Sequence, residues 1–128
     1  MAMTSLYTSI LALVFVFLSI RTLRLRRRLR IGIGDGGNEQ MLRAMRVHSN
    51  FAEYVPIALM SLLMVETSGA SYYLVHFLGG ALLAGRITHA YGVSKINENF
   101  FFRVTGMALT FTSILSSAIY LLMSAFFR

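Results

Sequence analysis

Uncharged, largely apolar residues fill Leu6 to Ile20, Phe51 to Val65 apart from Glu53, Ser71 to Gly85, and Val104 to Phe127; polar or charged stretches separate them. Runs of this length exceed a strand and approach the roughly 20 residues that a membrane-spanning helix needs. The pattern predicts an all-α chain of four helices, at about residues 2–28, 39–66, 71–91 and 103–127. The first run is followed by positive charge instead of being preceded by it, and no small-residue cleavage site closes it. It is therefore read as a retained helix and not as a signal peptide.

The connections are distinct in chemistry. Arg21 to Arg30 contains six arginines and Ile31 to Asn38 four glycines, so a basic helix extension should end in a flexible turn. Asp35 or Asn38 can cap the second helix, with Glu39 favourably placed in its first turn. No strand precedes the glycines and no Gly-Lys-Ser/Thr follows, which argues against a phosphate-binding loop. Glu66 to Ser71 carries no basic residue. Gly92 reads as the C-cap of the third helix, and Val93 to Phe102 as a polar loop with Lys95, Asn97, Glu98 and Asn99. Because basic residues flank only the first and third connections, both should be cytoplasmic and both termini outside. Gly79, Gly80, Ala81, Ala84 and Gly85 give the third helix a small-residue surface for close helix approach.

Composition sharpens the class. The chain has 128 residues, 56% of them hydrophobic and 13% charged, with a mean hydropathy of +0.66. These values describe one membrane domain over residues 1–128 better than a soluble one. The absence of cysteine excludes disulfides, thiolate metal sites and a cysteine nucleophile, so a reactive thiol would have to come from a ligand. The net charge is +7, but eight of the twelve basic residues lie between Arg21 and Arg46. Such a juxtamembrane cluster fits topology and anionic head groups, and no nucleic-acid motif accompanies it.

Ionisable groups inside apolar helices are costly and therefore informative. On an ideal helix Arg46, Asn50 and Glu53 share a narrow face, which should line a polar pocket or a subunit contact. An interhelical salt bridge and a ligand site both satisfy that pattern. Pro56 lacks an N–H and should kink the helix near Ala52. Arg86 and His89 share a face of the third helix at the same depth. His48 lies about 200° around its helix from Arg46 and reads as a contact to a neighbouring helix or head group; His76 reads as packed. No metal site is evident.

The spacing Arg-x-x-x-Asn-x-x-Glu-Tyr-x-Pro over Arg46 to Pro56 resembles the signature of the membrane-associated proteins in eicosanoid and glutathione metabolism, the MAPEG family. Gly34-Asp35-Gly36-Gly37 and Gly85-Arg86-Ile87-Thr88-His89-Ala90-Tyr91-Gly92 are similar to its small bacterial YecN-like branch, which implies a bacterial inner-membrane location. The resemblance implies a homotrimer of four-helix protomers with glutathione, as co-substrate, bound between them. Arg46, Asn50, Glu53, Tyr54, Arg86 and His89 are then the candidate glutathione-binding residues. The ligand's two carboxylates suit Arg46 and its neighbours, and its ammonium suits Glu53. Arg103, in the context Arg-Val-Thr-Gly-Met, looks like the family's thiolate-stabilising arginine, and Arg26 or Arg27 like a loop arginine that binds glutathione in some members. The leukotriene-synthase branch has a tyrosine seven positions after the third-helix arginine. Here that position is Val93, and Tyr91 lies about 140° around the helix from Arg86, so eicosanoid synthesis is not expected.

Three functional readings follow. The first is a glutathione transferase or peroxidase acting on lipophilic electrophiles from the bilayer; the second is a non-catalytic membrane scaffold or lipid-binding protein. The third, a small transporter using Glu53 as a proton site, conflicts with charges gathered near one interface.

Overall fold

The computed structural model describes residues 2–127 as four helices: α1 (Ala2–Leu29), α2 (Glu39–Thr67), α3 (Tyr72–Val93) and α4 (Phe100–Phe126). At about 1.5 Å rise per residue even the shortest, α3, is roughly 33 Å long. α2 and α3 form the middle of the bundle: α2 packs on α1, α3 and α4, and α3 on all the others, whereas the backbones of α1 and α4 do not come close to each other among the described residues. The two outer helices are the ones long and apolar enough to cross a membrane by length and composition. They leave large apolar side chains exposed, Leu13, Val16, Phe17 and Leu23 on α1 and Val104, Leu115, Ile119 and Leu122 on α4. An apolar surface of this kind belongs against lipid or another protein.

Asparagine and serine set the helix starts. Asn38 Oδ1 accepts from the Met41 N–H at 2.9 Å, Ser71 Oγ from Leu74 N–H at 3.3 Å, and Asn99 Oδ1 from Phe101 N–H at 3.0 Å. Each satisfies an amide that a helix terminus leaves without a partner. Asp35 is not the cap; it accepts from the Gly37 N–H within the turn. Gly34, Gly36 and Gly37 all have positive φ, and Arg26 Nη1 donates to the Gly34 carbonyl at 2.8 Å. The glycine turn is thus a built feature.

Two expectations from sequence need correction. Gly92 does not cap α3, which runs on to Val93 with Ser94 as its C-cap. Instead Gly92 is buried under the start of α4, where a Cβ would lie 2.7 Å from Phe102 Cβ. The fourth helix begins at Phe100 and not Arg103, because Asn99 supplies the cap. α2 runs as one helix through Pro56 to Thr67, matching the expected span, and its interior has one amide donor fewer there.

The core has three apolar clusters along α1 and α2, with Leu11, Leu18, Phe51, Val55 and Leu82 at its centre, Tyr7, Leu62, Val65, Val75 and Leu78 at one end, and Leu25, Met41 and Ala44 at the other. The α3–α4 contact is different, since it is built on glycine. Cβ atoms at Gly85 and Gly106 would meet opposing backbone, Gly106 O at 2.8 Å and His89 N at 2.6 Å. Only hydrogen fits there, as in other close crossings of small residues. Of the small residues anticipated on α3, Gly79 and Gly85 make such approaches, Gly79 against the Tyr7 ring, and Ala84 is exposed.

Candidate functional site

The glycine contact draws α3 and α4 together and carries Arg86 into the interior, where it is 1% exposed. Arg86 Nε donates to Thr110 Oγ1 at 3.0 Å, Nη1 to Asn50 Oδ1 at 2.6 Å and Nη2 to Met107 Sδ at 3.3 Å. Thr110 in turn donates to the Gly106 carbonyl. One guanidinium thereby joins α2, α3 and α4. No carboxylate pairs with it among the described residues, and its charge is met by neutral acceptors and by the face of Tyr54, 5.7 Å from its carbon to the ring centroid. Tyr54 also packs edge-on against Phe111.

Above this tether lies a cleft of about 390 Å³, in the range of small-ligand sites, lined by Glu39, Arg43, Arg46, Asn50, His89, Val93, Arg103 and Met107. It sits where the start of α2, the end of α3 and the start of α4 converge.

Glu98 organises the cations at this end. Its side chain is 3% exposed, and Oε1 accepts from Arg43 Nη1 at 2.9 Å and from Arg103 Nη2 at 2.6 Å. Arg43 also reaches the Val93 carbonyl at 3.1 Å and Glu39 at 3.2 Å. Arg103 rests over the Phe100 ring, and its Nε is buried without a hydrogen-bond partner. Glu98 Oε2 is likewise buried and unpartnered. Arg46 is exposed on the cleft and makes no ion pair among the described residues.

Of the residues singled out in sequence, Arg46, Asn50, His89 and Arg103 meet in the cleft, while Arg86 and Tyr54 lie beneath it. Glu53 shares the α2 face but is one turn deeper, exposed, outside the cleft and without an ionic partner among the described residues. Among the described residues no intrachain salt bridge runs through Arg46 or Glu53; the ionic network runs through Arg43, Glu98 and Arg103. Sequence reading missed Arg43 and Glu98. Arg43 was findable, being one turn before Arg46 on the same face; Glu98 lies in a connection, where no periodicity points inward.

Tyr91 is exposed and turned from the cleft, edge-on to Phe102 at 5.1 Å with Lys95 over its ring. His48 and His76 are packed contacts: His48 Nε2 shares a hydrogen bond with Ser19 at 2.9 Å and stacks on Phe15. His76 Nδ1 shares one with the Tyr7 hydroxyl at 2.8 Å.

Over 81 residues, 63% of this chain, the sequence is 41% identical to the inner membrane protein YecN of Escherichia coli K12, and to the same degree to that of strain O6:H1. The matched segment spans 60% of those relatives' length. The MAPEG family model matches residues 4–123, nearly the whole four-helix chain, and on that match the protein is a membrane protein of the MAPEG family.

Proposed function

We propose that the chain binds glutathione in the cleft and ionises its thiol for attack on a lipophilic electrophile, as a transferase or peroxidase. The carrying observation is the charge balance of the cleft. Arg43, Arg46 and Arg103 face Glu39 and Glu98, leaving an excess cation beside a polar floor of Asn50 and His89. A ligand with two carboxylates and one ammonium suits such a site, since guanidinium groups bind carboxylates in a forked geometry. Arg103 is the candidate for holding the thiolate: it keeps its charge at every working pH, stands in the first turn of α4 where the helix dipole is favourable, and has an idle buried Nε. A thiol of ordinary pKa is only a few per cent ionised at neutral pH, and lowering that pKa by two units supplies about 2.7 kcal/mol. Glu53 stays outside the protomer's own cleft, so its pairing with the ligand's ammonium belongs with assembly as a homotrimer. The exposed pair Arg46 and Glu53 on α2 supports that assembly.

Titration calorimetry of the purified protein with glutathione, followed by a thiolate difference spectrum, tests this reading. Binding with thiolate absorbance is expected. Arg103→Ala should keep affinity within a few-fold, abolish the absorbance and slow turnover on the order of tenfold to a hundredfold. Absence of glutathione binding would refute it. Light scattering that gave a stable monomer would remove the trimer. A non-catalytic scaffold is favoured by one observation, the placement of Tyr91 away from the cleft; binding without thiolate formation would select it.

A further inference from the structure

A second and larger groove, about 560 Å³, lies on the other side of α2 from the first, between α1, α2 and the end of α3. Phe17 and Ile20 form one end, and Arg21, Arg24 and Arg28 the other, with Gln40, Ala44 and Ser94 across from them. Phe17 and Ile20 are exposed, as are Arg24 and Arg28. The three arginines at positions i, i+3 and i+7 fall within about 60° of one helix face, so they converge instead of splaying around α1. No carboxylate lines the groove.

Arg21 shows what is missing. Its Nη1 donates to Ser94 Oγ at 2.8 Å, while Nε and Nη2 are both buried and have no hydrogen-bond partner. Idle buried donors on a charged group are unfavourable unless something accepts from them. Among the described residues Arg28 meets only the Gln40 amide oxygen, at 3.5 Å. The groove thus presents, at one end, cationic donors of which two on Arg21 have no acceptor, and at the other an apolar wall from the last turn of the uncharged run that ends at Ile20.

From this arrangement we infer a site for the phosphate group of an anionic phospholipid. The phosphate oxygens take the free donors of Arg21 with Arg24 and Arg28 beside them, and the acyl chains lie along Phe17 and Ile20. Guanidinium forks match phosphate geometry, and phosphate accepts several charge-assisted hydrogen bonds at once. A free phosphate ion satisfies the same donors but makes no use of the apolar end.

The test uses the full chain purified in detergent, titrated separately with phosphatidylglycerol and phosphatidylcholine, with bound lipid read by native mass spectrometry. Phosphatidylglycerol should be retained more tightly. Arg21→Gln and Arg24→Gln should each weaken that retention on the order of tenfold to a hundredfold, as expected for the loss of charged hydrogen bonds. Arg30→Gln removes the same charge from an exposed position outside the groove and should weaken it by no more than about fivefold. Arg24 is exposed, so its variant reports on the lipid even if the Arg21 variant folds poorly. Excess inorganic phosphate should leave the lipid bound; displacement would overturn the lipid assignment and make free phosphate the occupant. Equal losses in all three variants, or equal retention of the two lipids, would overturn the site itself.

Discussion

Replacing Glu98 by glutamine is the most direct probe of the cleft, because it keeps the shape of the side chain and removes only its charge. The carboxylate is almost fully buried and one oxygen serves both Arg43 and Arg103. A hydrogen bond to a charged partner contributes about 1.5 to 3 kcal/mol and a neutral one about 0.5 to 1.5, so two weakened bonds set an upper loss of about 2 to 3 kcal/mol. Two effects reduce it. Arg103 is 41% exposed and can rehydrate, which brings its share toward that of a surface pair. Burying Glu98 also leaves Oε2 unpartnered, a cost that the neutral amide lessens. The expected net destabilisation is about 1 to 2 kcal/mol, measured by unfolding in mixed micelles with rising denaturing detergent. Double-mutant cycles with Arg43→Ala and Arg103→Ala should give the larger coupling to Arg43, which is 20% exposed. Unchanged stability in Glu98→Gln, or a stronger coupling to Arg103, would refute this account of the network.

Other perturbations test the scaffold and the site. Gly106→Ala places a methyl group against backbone on α3 and should cost about 1 to 3 kcal/mol in the same unfolding assay. Gly80→Ala, whose Cβ meets only the Tyr7 hydroxyl at 3.8 Å, should instead stabilise by about 0.5 to 1 kcal/mol, because alanine is the better helix former and nothing clashes. Asn50→Leu removes the acceptor of Arg86 Nη1 and should cost about 1.5 to 3 kcal/mol, whereas Asn50→Asp supplies a carboxylate and should melt at or above the wild-type temperature. Tyr91→Phe should alter any transferase rate less than about threefold, and a hundredfold loss with folding intact would show that the tyrosine reaches the reacting atoms.

Four helices, their approximate spans and the family were legible in the order of residues. Long uncharged runs admit only helices in a membrane, and Arg46 to Pro56 carries the spacing that resembles the family's signature. The helix ends were less legible. Gly92 looked like a C-cap because glycine at the end of an apolar run usually is one, yet its lack of a side chain serves the contact with Phe102 on another helix. Which glycine ends a helix and which lets two helices touch depends on a neighbour distant in sequence.

The same division runs through the site. Helical spacing alone put Arg46, Asn50 and Glu53 on one face and Arg86 with His89 on another. It could not show that Arg86 would be drawn beneath the cleft by Asn50 and Thr110, that Glu53 would stay outside it, or that Glu98 would turn inward from a polar connection to hold Arg43 and Arg103. Periodicity ranks positions around one helix axis, whereas the depth of a charge and its partner are set by how closely α3 and α4 approach. Gly85 and Gly106 determine that approach by having nothing where a side chain would stand.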